Sequence, residues 1–168
     1  MHRGFGMIAL VGIMGFGGVV GCGSDDSPTT AEYIALADPI CADANARIEA
    51  AYEDFWDEYG DLAESQDPAV EDELFVAIDA VVRDGLSPVV EAMLVELREL
   101  ERPEADDELL VALYDDLETA MTDAAALSAA AVDGGPEARA ALDAEDPFAD
   151  VDRRAREYGM TVCGAENE

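Results

Sequence analysis

Lysine is absent from this chain, and its only histidine is His2. Without lysine there is no Schiff-base nucleophile. Without a histidine beyond the second residue, Ser-His-Asp and Cys-His nucleophile systems have no imidazole. The same holds for histidine-bearing zinc, copper or haem centres and for the Glu-x-x-His pairs of di-iron bundles. Positive charge is scarce too: 9 arginines face 40 aspartates and glutamates, for a formal net charge of −31. No basic patch can neutralise a phosphate backbone, so nucleic acid is excluded as a partner. No stretch alternates apolar and polar residues over a useful length. No sheet is therefore expected, and no glycine-rich phosphate loop after a strand.

Carboxylates remain as possible chemistry. With 40 of them, some pair falls at any chosen spacing, so a glycosidase-type acid/base pair has no specific signal here. Residues 143–152 hold five acids whose oxygens suit calcium. Their spacing is not that of an EF-hand loop, and Asp146 has a competing use as a helix cap. The chain is expected to be no enzyme and to carry no cofactor and no metal.

What is present first is a leader. His2 and Arg3 precede an uncharged apolar run of 17 residues, 4–20, with six glycines. That is shorter than the ~20 residues of a spanning helix and fits a signal peptide. The run closes on Val19-Val20-Gly21-Cys22, which reads as a lipoprotein processing site. Residues 1–21 would be removed and Cys22 would carry the lipid; an uncleaved anchor, or a plain secretory signal cleaved elsewhere, is the rival reading. Acyl chains contribute ~0.8 kcal/mol per buried CH₂. Residues 22–30 are a polar tether, and 168 − 21 leaves 147 residues, one domain's worth. All 40 acids lie beyond Cys22, where 8 arginines remain, so the processed charge is 8 − 40 = −32. Such a charge supports solubility, suits a saline habitat, or attracts divalent cations diffusely.

The rest reads as helix. Helix A is expected from about residue 31 to 65, capped by Thr30, with an apolar face of Tyr33, Ala37, Ile40, Ala44, Ile48, Ala51, Phe55, Tyr59 and Leu62. Pro39 predicts a kink or a separate first turn. Asp67 and Pro68 start helix B as cap and first residue. Its rhythm, Phe75, Ile78, Val82, Leu86, Val89, Met93, Leu97, Leu100, passes through Pro88 and predicts one bent helix. Helix C, about 106 to 132, carries the seam Leu110, Leu113, Leu117, Ala120, Ala124, Leu127, Ala131 and stops at Gly134 as a left-handed cap. A short helical turn is expected at 136–143. Helix D then starts at Asp146-Pro147, carries Phe148, Val151, Ala155 and Tyr158, and ends at Gly159.

Short connectors make this an all-α, up-down-up-down four-helix bundle spanning 31–164, with an acidic tail at 165–168. Helix A then starts where helix D ends. With Cys22 taken by lipid, Cys41 and Cys163 remain near that pole in an oxidising compartment, which predicts a disulfide between them. Arg153, Arg154 and Arg156 are expected to pair with neighbouring carboxylates rather than form a docking patch. Trp56, just off the face of helix A, is expected to be partly buried, with an exposed anchor as the alternative.

The string Ala37-Asp38-Pro39-Ile40-Cys41-Ala42-Asp43-Ala44-Asn45 and the close Glu157-Tyr158-Gly159-Met160-Thr161-Val162-Cys163-Gly164 resemble a loose group of uncharacterised actinobacterial secreted proteins and lipoproteins. These share an early-helix cysteine and a Tyr-Gly-x-x-x-Cys-Gly ending. The Arg102-Pro103 connector fits as well, while Pro39 departs from the plainer first helix of the group. The resemblance implies the helical fold, supports the Cys41–Cys163 pair and implies no activity. The expected function is therefore a non-enzymatic, lipid-anchored binding or interaction module on the extracytoplasmic face of the cell membrane, with an envelope protein as partner. The alternative is a lipoprotein that senses a small ligand or a divalent cation.

Overall fold

The computed structural model describes residues 27–63, 65 and 67–164. The expected signal peptide, Cys22, the tether up to residue 26 and the acidic tail lie outside the described residues. Within them the chain is helical. Helix α1 is Thr30–Ala63, α2 is Pro68–Ala80, a π-helical turn covers Val81–Leu86, and α3 is Ser87–Glu99. A 3₁₀ turn at Glu104–Asp106 leads to α4, Asp107–Asp133; α5 is Gly135–Ala144 and α6 is Ala149–Tyr158. No strand occurs among the described residues. Expected helices A, B, C and D are α1, α2 through α3, α4 and α6, and α5 is the short segment between C and D.

Helix α1 is capped by Thr29, not Thr30. The Thr29 hydroxyl accepts from the Glu32 amide at 3.3 Å, and the Glu32 carboxylate accepts from the Thr29 amide at 2.9 Å. This reciprocal box satisfies amides that the first turn leaves open, and the Thr29 amide and hydroxyl, both donating to it, hold the Glu32 carboxyl below its ordinary range. Helix α1 runs unbroken across Pro39, so no separate first turn forms. Tyr33, Ala37, Cys41 and Ala44 are buried on both sides of the proline, which holds the segment in helix despite the missing donor.

Asp67 and Pro68 begin α2 as expected, the Asp67 carboxylate accepting from the Ala69 amide at 3.0 Å. The irregularity expected at Pro88 lies one turn earlier, in Val81–Leu86. Pro88 sits in the first turn of α3, where a missing N–H costs little. The wide turn leaves the Val82 carbonyl to Ser87, whose amide and hydroxyl both reach it, the hydroxyl at 2.9 Å. A side chain on Gly85 would crowd the Val81 side chain of the same turn at 3.3 Å, while Ala51 of α1 would stand at an ordinary 3.8 Å.

The seam of α4 is buried or half-buried along its length. The left-handed glycine after it is Gly135, at φ +69°, rather than Gly134 at −91°. Gly134 is required for space: an added Cβ would meet the Ala130 carbonyl at 2.6 Å. Helix α6 begins at Ala149, later than expected, because Asp146 first accepts from the Phe148 amide at 3.0 Å and closes a turn. Gly159 ends it in the left-handed region, at φ 104°. Helix α1 packs on α2, the π turn and α3; α4 packs on α2 and α3 and also on α5 and α6.

Candidate ligand cavity

Four apolar faces converge without closing. Cys41, Asn45, Ile48 and Tyr52 recur on α1 at helical spacing and share one face. They look across at Val82 and Leu86 of the π turn, Val90, Met93 and Leu97 of α3, and Leu113, Leu117, Met121 and Ala124 of α4. Phe148, Val151, Ala155 and Met160 complete the wall around a cavity of about 490 Å³. Small-molecule sites commonly span ~300–1,000 Å³. Three of the wall residues, Met93, Met121 and Met160, are unbranched and polarizable, so the lining can adjust to an occupant's shape.

Two polar side chains of the lining, Asn45 and Arg156, are engaged within the protein. The Asn45 amide donates to the Val162 carbonyl at 2.9 Å. Arg156 Nη1 donates to the Gly164 carbonyl at 2.6 Å. Both bonds hold the C-terminal turn against α1 and α6, and the Gly164 amide closes that turn on Met160 at 3.0 Å. Only glycine fits at 164, since a Cβ would lie 2.5 Å from the Asp152 carbonyl. The sulfurs of Cys41 and Cys163 stand at disulfide distance, 2.08 Å, with Cα atoms 5.0 Å apart, on the cavity wall. Asp146 and Asp152 lie at its rim.

Beside the cavity lies a tyrosine cluster. The Tyr33 and Tyr114 hydroxyls bond each other, and both side chains are buried. The Tyr158 hydroxyl donates to Asp106 Oδ2 at 2.9 Å, which also accepts from the Thr30 hydroxyl at 2.7 Å. Burial pushes the Tyr33 hydroxyl up, against the opposing effects of Tyr114 and Arg102. Burial also raises Tyr114, with its bond to Tyr33 adding to the shift. Tyr158 is raised by burial and then by the Asp106 carboxylate. Tyr33 and Tyr114, paired with each other, pin α1 to α4, and Tyr158 ties α6 to Asp106.

Cys41 and Cys163 thus meet, while Cys22 lies outside the described residues. Trp56 departs from the expectation of partial burial: it is 53% exposed, its ring edge-on to Phe55 at 5.0 Å. Phe55 points into the core and fills the space next to it, so the next residue along α1 faces outward. Arg153 pairs with Asp150 and with Glu157 at 2.9 Å, and Arg154 pairs with Asp116 on α4. Arg153 and Arg154 are thus tied to carboxylates, and Arg156 donates to the Gly164 carbonyl. Among the described residues no group of three or more His, Cys, Asp or Glu is placed to hold a metal. No described helix is long and apolar enough to cross a membrane.

Sequence reasoning missed Asn45, Tyr114, Met121 and Met160 as wall or pin residues. Asn45 had a signal, standing one turn after Cys41 on the same face. Tyr114 and Met121 flank the α4 seam, and Met160 lies past the end of α6, where periodicity is silent. Comparison of the chain with protein-family models, with curated proteins and with solved structures finds no match.

Proposed function

We propose that this protein is a lipid-anchored, extracytoplasmic binding protein for a small, largely apolar molecule. The observation that carries the reading is the cavity of about 490 Å³ with apolar, methionine-rich walls. In this proposal residues 1–21 are removed, Cys22 carries the lipid, and Cys41 and Cys163 are joined in an oxidising compartment. The helices run up-down-up-down, with the axis of the second bent at its π turn. The kinship with secreted actinobacterial proteins belongs to the same proposal. The protein performs no catalysis in this account.

A neutral naphthylamine dye that fluoresces in apolar surroundings tests the reading. Saturable one-to-one binding is expected. It should weaken sharply in Ala124→Phe, which fills the cavity, and in Met121→Trp should Ala124→Phe fold poorly. Absence of saturable binding, or binding indifferent to both substitutions, contradicts it.

Exposed apolar side chains favour a second reading, an interaction module for an envelope protein. Leu36, Trp56, Val76 and Val95 are each more than half exposed. Under that reading Trp56→Ala abolishes crosslinking to a membrane partner and leaves dye binding unchanged.

A further inference from the structure

The ligand reading leaves open which chemical class enters, and the electrostatics of the rim bear on that choice. Apart from the Tyr52 hydroxyl, the interior offers an occupant little free hydrogen bonding, because the Asn45 amide and an Arg156 donor already serve the C-terminal turn and the Tyr114 hydroxyl is paired with Tyr33. The body of the occupant is therefore held by shape and apolar contact. The rim is different. Asp146 lines it, next to Asp152 and Arg156, which are both engaged within the protein. Asp146 is also a shared wall, because an adjoining depression is lined by Asp123, Glu145 and Asp146 together with Ala126, Leu127 and Pro147. That depression has three carboxylates and no cation in its lining.

Asp146 commits one oxygen to the Phe148 amide. A carboxylate has roughly four acceptor sites, so its acceptor capacity is not exhausted. Asp146 is exposed, so a cation meeting it there keeps part of its hydration and avoids the cost of full burial. Over longer range the chain's net charge of −31 draws cations toward the mouth and opposes a carboxylate or phosphate head.

We infer that the cavity takes an amphiphile with a single positive charge on an apolar body, its cationic head seated at the Asp146 side of the rim. This rests on the ligand reading above. A fatty acid, a phosphate-headed lipid and an uncharged apolar molecule are disfavoured occupants.

The test displaces the naphthylamine dye from the full processed chain with dodecyltrimethylammonium, dodecanol and dodecanoate, each below its micelle threshold. The three share one alkyl chain and differ in the charge of the head. The cation should displace dye at a concentration about tenfold lower than dodecanol, a factor in keeping with one solvent-exposed ion contact. Dodecanoate should be weakest. The preference should shrink in high salt. Asp146→Asn, which keeps the acceptor for the Phe148 amide, and Asp123→Asn should each reduce the preference for the cation over dodecanol. Equal displacement by the cation and dodecanol, stronger displacement by dodecanoate, or indifference to both substitutions overturns the inference and leaves the cavity reading standing. Calorimetric binding of the cation without dye displacement also overturns it, since the acidic surface alone would then be responsible. Failure of the dye itself to bind removes the ligand reading beneath it.

Discussion

Tyr33 and Tyr114 meet across α1 and α4, and their paired hydroxyls are the most buried polar contact of the cluster. Truncating one partner leaves the other unpaired in an apolar setting, which costs ~1–3 kcal/mol. Tyr114→Phe should therefore lower unfolding stability by about that amount, and Tyr33→Phe/Tyr114→Phe should recover most of it. A urea-denaturation cycle checks this; a double variant as unstable as the sum of the singles contradicts it. The tyrosines also set a pH dependence. Tyr33, Tyr114 and Tyr158 are raised above the ordinary phenol value, so the folded chain holds their protons longer than the unfolded chain does. Their contribution is fully present below about pH 10 and is lost as pH rises toward the folded values. Urea midpoints should be flat to about pH 10 and fall beyond it, with phenolate absorbance rising in step with unfolding. Tyr33 and Tyr158 were legible as members of apolar stripes. Their hydrogen bonds were not, because pairing across helices depends on which residues come level once the helices dock.

At the scale of elements, cap chemistry was the most legible feature. Asp67-Pro68 and Gly159 act where the sequence put them, since each supplies a local requirement of a helix end. Thr29 was missed although Thr29-x-x-Glu32 is a capping-box spacing. Asp146 was assigned to the helix start because a turn and a cap use the same side-chain acceptor. The π turn was invisible for a physical reason: steps of three and four along Val82, Leu86, Val89 and Met93 tolerate one widened turn. What holds it is the Ser87 amide and hydroxyl on the Val82 carbonyl. Ser87→Ala should cost about 1 kcal/mol, measured by thermal unfolding. Arg139 is a comparable element-scale device. It joins α5 to α2 through Glu71 and Asp72, lies over the Phe75 ring at 4.5 Å and donates to the Ala131 carbonyl at 3.2 Å. Arg139→Lys should lower the melting temperature more than Arg153→Lys, because an ammonium cannot span carboxylates, ring and carbonyl together.

For the whole molecule, the all-helical class and the meeting of Cys41 with Cys163 followed from helical periodicity and the bundle argument. The cavity did not, because it is the residue of imperfect closure among α1, α3, α4 and α6, a distance no single stripe encodes. The net charge of −31 predicts self-repulsion that salt screens. The melting temperature should rise between low and high sodium chloride, and a flat response would show that the arginine pairs already balance the field. The Cys41–Cys163 link spans 122 residues and, if bonded, contributes about 4–5 kcal/mol in the chain-entropy model.

The central claim is a processed, lipid-tethered domain closed by that link. The measurement that tests it most directly is the intact mass of the protein from its host's membrane fraction, alkylated with and without reduction. The account predicts a chain starting at Cys22 with added acyl groups, in which two alkylation sites appear only after reduction. A full-length unmodified chain, or Cys41 and Cys163 alkylated without reduction, would contradict it.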